Sequence, residues 1–79
     1  MMQHFEALKV EIADNVATVS LNRPKKANAL NGVLWREIGA AFDALDLEDE
    51  VRVVVLRGEG KHFSSGIDFT LIAEVVGSV

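Results

Sequence analysis

The twelve residues Gly58-Glu59-Gly60-Lys61-His62-Phe63-Ser64-Ser65-Gly66-Ile67-Asp68-Phe69 are the stretch whose types and spacing bear most directly on chemistry. A valine-rich run precedes them and an amphipathic run follows. In α/β folds this is where ligands sit, at the carboxyl end of a strand. Spacing excludes three familiar chemistries. A phosphate-binding P-loop needs Gly-x-x-x-x-Gly-Lys-Ser/Thr, but His62 follows Gly60-Lys61 and position 55 is Val. A dinucleotide fingerprint would put Gly where Phe63 stands, and no Gly-x-Ser-x-Gly elbow is present. His62 and Ser64 share a face in an extended chain, yet a nucleophile–base pair needs a third, orienting group that the spacing does not supply. Ser64, Ser65 and Gly66 contribute smallness instead, letting a ligand approach the backbone, and Gly66 can take dihedrals closed to other residues. A helix opening near Ile67 or Asp68 leaves its first N–H groups unpaired at the positive end of the dipole. A backbone N–H so placed is able to stabilise an anion, as an oxyanion hole requires.

The elements that would hold this turn are readable upstream. Leu8, Val10 and Ile12 alternate with Lys9 and Glu11, which predicts a half-buried strand over 8–12. Asp14-Asn15 is turn chemistry, and 16–21 reads as a second strand, so the two predict an antiparallel hairpin. Asn22-Arg23-Pro24 ends it, because Pro lacks a ladder donor and biases Arg23 away from helix. Asn31 is a candidate N-cap for a helix reaching Asp46, with Leu34, Ile38, Ala41, Phe42 and Leu45 on one face. Trp35 falls about a quarter-turn off that face, which suits packing at a domain or subunit boundary in preference to a ligand contact. Leu47 to Glu50 form an acidic, solvated turn. The run 51–56 is too short for a helix and too apolar for a one-sided strand, so it predicts a strand buried on both faces. Strand, helix and strand imply a right-handed βαβ crossover. A second helix is predicted over 68–76, with Asp68 as its cap and Arg23 in a structural role.

Composition narrows the class. At 79 residues, 49% hydrophobic and 25% charged, the chain is one globular unit of marginal size. Its formal charge of −4, from eight basic and twelve acidic residues, speaks against non-specific nucleic-acid or polybasic membrane binding. Without cysteine, neither a disulfide framework nor a thiolate metal site is available. The apolar runs are short for a membrane span. The opening residues Met1 to Glu6 lack the basic-then-apolar pattern of a secretory leader. A cytoplasmic address is the expectation.

Two segments carry a resemblance. Leu21-Asn22-Arg23-Pro24-Lys25-Lys26-Ala27-Asn28-Ala29-Leu30-Asn31 looks like the first signature of the enoyl-CoA hydratase/isomerase (crotonase) family, and 53–58 with 60–69 looks like the second. Together with the amphipathic helix between them, they make 1–79 resemble the amino-terminal part of a crotonase-like domain. That resemblance implies an α/β class, the ββα spiral of the ClpP/crotonase fold, here an antiparallel hairpin followed by a βαβ unit. It implies an enzyme acting on acyl-CoA thioesters through an enolate held in an oxyanion hole, an enoyl-CoA hydratase or an enoyl/dienoyl-CoA isomerase of fatty-acid metabolism. Gly66-Ile67-Asp68 before a bulky apolar residue resembles the dienoyl-CoA isomerases in particular.

By the same resemblance the Ile67 N–H donates to the thioester oxygen. Lys25, Lys26 and Ala27 border the CoA pocket, Ser65 and Gly66 line it, and Asp68 and Phe69 open the helix behind it. No metal or separate cofactor is implied, coenzyme A being part of the substrate, and the parent enzyme is implied to be a homotrimer or homohexamer. The family's proton-moving carboxylates belong to a later stretch of chain, and none of the twelve Asp and Glu residues matches them. The 79 residues alone are therefore expected to be inactive. The competing reading is a non-catalytic small protein of the same fold that binds a ligand or partner; it requires a closed core without an exposed apolar edge.

Overall fold

The computed structural model describes residues 4–77, so the leader reading rests partly on Met1, Met2 and Gln3, which lie outside the described residues. Strands β1 (Leu8–Ala13) and β2 (Val16–Leu21) pair antiparallel, with Leu8 opposite Leu21 and Ala13 opposite Val16. Asp14 and Asn15 join them at φ 52° and 67°. Two successive positive φ values are what a type I′ hairpin turn requires, and short polar side chains tolerate them.

After a single 3₁₀ turn at Pro24–Lys26, helix α1 runs from Gly32 to Asp46. Asn31 caps it, its Oδ1 accepting from the Leu34 N–H at 2.9 Å. Strand β3 (Val53–Gly58) pairs parallel with β2, giving the sheet order β1-β2-β3. The β2–α1–β3 unit is the crossover expected from the pattern, a connection right-handed in nearly all known sheets. Helix α2 spans Phe69–Gly77.

The core lies between α1 and the hairpin. Phe5, Ala7, Leu8, Ala17, Val19, Leu21, Leu34, Ala41 and Leu45 are buried together. Glu37 on α1 secures the lead-in to β1, its carboxylate accepting from the Glu6 and Ala7 N–H groups at 2.7 and 2.6 Å. Ile38 packs against this core, whereas Phe42, placed on the same face by its spacing, is 38% exposed near the open end of the helix.

Two expectations for the third strand need correction. It begins at Val53 rather than Val51 and continues to Gly58. The Val51 N–H closes the acidic turn on Glu48 O, and Arg52 and Val53 both donate to Asn15 O, so sheet pairing starts only beyond the hairpin tip. Nor is the strand buried on both faces: Val53, Val55 and Leu56 are 53, 43 and 40% exposed. Among the described residues it is an edge strand, paired with β2 alone, while α1 covers the hairpin side of the sheet. The closed core required of a self-sufficient binding protein is thus not formed among the described residues. No helix among them is long and apolar enough to cross a membrane.

Candidate functional site

Two loops meet at the carboxyl ends of β2 and β3, and a buried amide joins them. Asn28 is fully buried. Its Oδ1 accepts from the Arg23 N–H at 2.7 Å, and its Nδ2 donates to Glu59 O at 2.9 Å and His62 O at 2.8 Å. Its φ of 54° lies in the left-handed region, where Asn is better tolerated than most residues. Gly58 makes room for this side chain: a Cβ there would lie 2.4 Å from Phe63 O and 2.8 Å from Asn28 Nδ2. Backbone links complete the junction. The Ser65 N–H donates to Ala27 O at 2.9 Å, and the Ser64 hydroxyl donates to Asn28 O at 2.8 Å.

The next residues form a short parallel bridge between Leu30 and Ile67. Leu30 uses both its backbone groups here, donating to Gly66 O and accepting from the Asp68 N–H, each at 2.8 Å. In a parallel bridge the residue opposite such a pair turns its own N–H and C=O to the other side. The accounting along the turn is therefore simple. The N–H of Ser65 goes to Ala27, that of Gly66 to the Ser64 hydroxyl at 3.1 Å, and that of Asp68 to Leu30. Among the described residues, no acceptor meets the N–H of Ile67. Gly66, at φ 105°, supplies the turn that only glycine takes readily.

This differs from the route by which the sequence pointed to Ile67. Helix α2 opens at Phe69, with Asp68 before it accepting from the Thr70 N–H at 2.9 Å. Ile67 thus precedes the cap and is not among the first helical N–H donors. The bridge to Leu30, rather than the helix terminus, leaves its N–H pointing outward.

The other predicted residues fall into two groups. Ala27, Ser65, Gly66 and Ile67 come together through the bonds above. Lys25 and Lys26 are exposed on the 3₁₀ turn, which abuts the second loop where Gly60 faces Pro24. Phe69 opens α2 but is 86% exposed, so it does not pack behind the turn. Arg23 is structural, as expected: its guanidinium donates to Ala29 O and lies 3.5 Å from Asp68 Oδ2. The Asp68 carboxylate is thereby committed to a cap and an ion pair. Sequence reasoning missed Asn28, although Asn28 stands within the recognised segment.

Thr70's backbone N–H, then its hydroxyl, then Arg23 hold the Asp68 carboxyl below the ordinary aspartate value. A depressed carboxylate contributes stability that is present above its unfolded value and lost as pH falls through the folded one. Wild-type protein should therefore lose urea resistance on acidification below the ordinary aspartate range. Asp68→Asn, which keeps an N-cap oxygen, should lose less over the same window. Parallel pH profiles for the two would remove Asp68 from the acid transition.

The fold is thus an α/β unit of strand, helix and strand whose carboxyl end carries a turn of small residues around the Ile67 N–H. A sequence model of the enoyl-CoA hydratase/isomerase family matches residues 11–76, and the chain belongs to that family. It is 45% identical over 65 residues to the human mitochondrial Delta(3,5)-Delta(2,4)-dienoyl-CoA isomerase, covering 81% of this chain and 20% of that protein. A probable enoyl-CoA hydratase of Rhizobium meliloti is also 45% identical, over 81% of this chain and 25% of its own length. A crystal structure of a probable enoyl-CoA hydratase/isomerase from Mycobacterium abscessus superimposes with a TM-score of 0.89 at 31% identity, covering 96% of this chain and 30% of that one. One from Xanthobacter autotrophicus Py2 gives 0.83 at 37% identity, over 92% and 27%. The chain thus spans about a fifth to a quarter of the curated relatives named here.

Proposed function

We infer that this chain supplies the thioester-binding amino-terminal part of an acyl-CoA hydratase or isomerase, with the Ile67 N–H as oxyanion donor. The observation that carries the reading is the N–H of Ile67, which meets no acceptor among the described residues while the N–H groups of Ser65, Gly66 and Asp68 around it are engaged. A preorganised donor of this kind acts where charge develops, on the oxygen of an enolate-like intermediate, and costs no reorganisation during reaction. Ser65 and Gly66 give the thioester access to the backbone. Lys25, Lys26 and Ala27 border the coenzyme A arm. Asp68 keeps to its cap, so the proton transfers belong to other carboxylates of the enzyme. Three or six copies would assemble by analogy with the family, in the cytoplasm, without nucleic acid or metal. Turnover of crotonyl-CoA measures hydration, and turnover of a 3,5-dienoyl-CoA measures isomerisation; an enzyme containing this chain that binds neither thioester would sink the reading.

The lysines give a separate expectation. Exposed charges act on phosphate through water and are screened within about 8 Å at physiological salt. Lys25→Ala with Lys26→Ala should raise KM for acyl-CoA a few-fold, more at low ionic strength, with kcat held. A KM that ignores both the substitutions and the salt would leave the lysines as surface charges.

A further inference from the structure

Beside the oxyanion turn lies an apolar groove that the reading above does not use. Trp35 of α1 forms one wall, Leu71, Ile72, Val75 and Val76 of α2 form the other, and Ile67 lies among the lining residues; its volume is about 310 Å³. That is the lower end of the range for small-molecule sites, which are mostly apolar with a few placed polar groups. Trp35 is 58% exposed and Ile72 46%, so large apolar side chains here face outward rather than into the core. Contiguous exposed apolar surface of this kind marks a place where something binds.

Ile67 belongs to both features, and this identifies the occupant. A thioester carbonyl held at the Ile67 N–H carries two substituents. The sulfur leads to the coenzyme A arm, which the polar loop of Lys25, Lys26 and Ala27 accommodates, and that loop is tied to Ser65. The acyl chain is the apolar substituent, and the groove is an apolar surface continuous with Ile67. We propose that Trp35 is a specificity-determining residue whose indole walls the acyl-chain groove and sets the chain length over which binding gains strength. This rests on the thioester reading of Ile67. Trp35 suits the task because a tryptophan presents a large rigid area at small entropic cost, and its exposure in the first turns of α1 leaves the core independent of it.

The test compares saturated butanoyl-, octanoyl- and dodecanoyl-CoA, which bind without reacting, on the enzyme containing this chain and on its Trp35→Ala and Trp35→Phe variants. Each buried methylene strengthens binding about fourfold. Wild-type affinity should therefore climb with length. In Trp35→Ala the butanoyl thioester should bind as before, while the octanoyl and dodecanoyl thioesters weaken about tenfold or more; Trp35→Phe should fall between. The emission of Trp35, assigned by its loss in the Phe variant, should shift to the blue with octanoyl-CoA and stay put with coenzyme A alone. Equal weakening at every length, or none at any length, overturns the proposal and leaves the groove to a protein segment. If butanoyl-CoA fails to bind the wild-type enzyme, the thioester reading falls as well, so the two failures are distinguishable.

Discussion

Replacing the Gly66–Ile67 amide by an ester is expected to lower kcat by about 10²–10³, or roughly 2.7–4 kcal/mol of transition-state stabilisation. The size follows from where the donor acts. A hydrogen bond to the ground-state carbonyl and to the enolate oxygen alike would change KM; one that strengthens as charge develops changes kcat. The ester removes the N–H and little else in shape. It does weaken Gly66 O as an acceptor, and that oxygen receives the Leu30 N–H at 2.8 Å. An ester at Ala29–Leu30 is therefore the control, since it deletes the Leu30 donor and spares that of Ile67. The control should lose little activity. Ile67→Ala keeps the N–H and should retain most turnover on a short thioester, while Ile67→Pro deletes it and needs a separate check of folding. A folded Gly66–Ile67 ester enzyme with wild-type kcat would remove Ile67 from the oxyanion role.

Local chemistry made most of the framework legible. Asp14-Asn15 announced a turn, and Asn31 announced a cap, because both depend on a few adjacent atoms. Periodicity placed α1 and the hairpin for the same reason. The third strand was harder. A run of valines reports that a strand is apolar on both faces, but whether anything covers those faces depends on the strand order, which no local pattern encodes. Val54 packs against the core, whereas Val53 and Val55 alternate with it onto the opposite face of the sheet and are exposed.

The site shows the same division. Small neighbours and a matching segment directed attention to Ile67, but the structural setting of its N–H, open among the described residues, was misplaced. The sequence suggested a helix terminus; the structure has a bridge to Leu30, a residue far away along the chain whose partner cannot be read from spacing. Asn28 was illegible for a related reason. An asparagine after Lys-Lys-Ala resembles any polar loop residue, and only the fold brings the carbonyls of Glu59 and His62 to its amide.

That burial makes a large loss of stability the expected result of truncating Asn28. Asn28→Ala leaves the Arg23 N–H and the Glu59 and His62 carbonyls without partners. A buried polar group stranded in this way costs about 1–3 kcal/mol. With water rescuing some of the three, the variant should lose roughly 3 kcal/mol or more in urea unfolding, among the larger effects of single substitutions. Asn28→Asp discriminates lost bonding from lost bulk, being nearly the same size. Its second oxygen would face two carbonyl oxygens, and the fully buried position disfavours the charge. The folded-state pKa of the new carboxyl should therefore rise above its unfolded value. The folded protein then takes up the proton first, so Asn28→Asp should regain stability as pH falls from neutral, opposite in sign to the Asp68 contribution. Protonated, it donates to one carbonyl and still leaves the other bare, so recovery should stop short of wild type. Because this amide ties the loop after β2 to Glu59 and His62, in the segment that leads to Ile67, the Ala variant should also lose kcat at temperatures where it remains folded, as the donor drifts from its position. An Asn28→Ala enzyme within about 0.5 kcal/mol of wild type, the range of ordinary surface changes, would mean that backbone contacts alone hold the two loops.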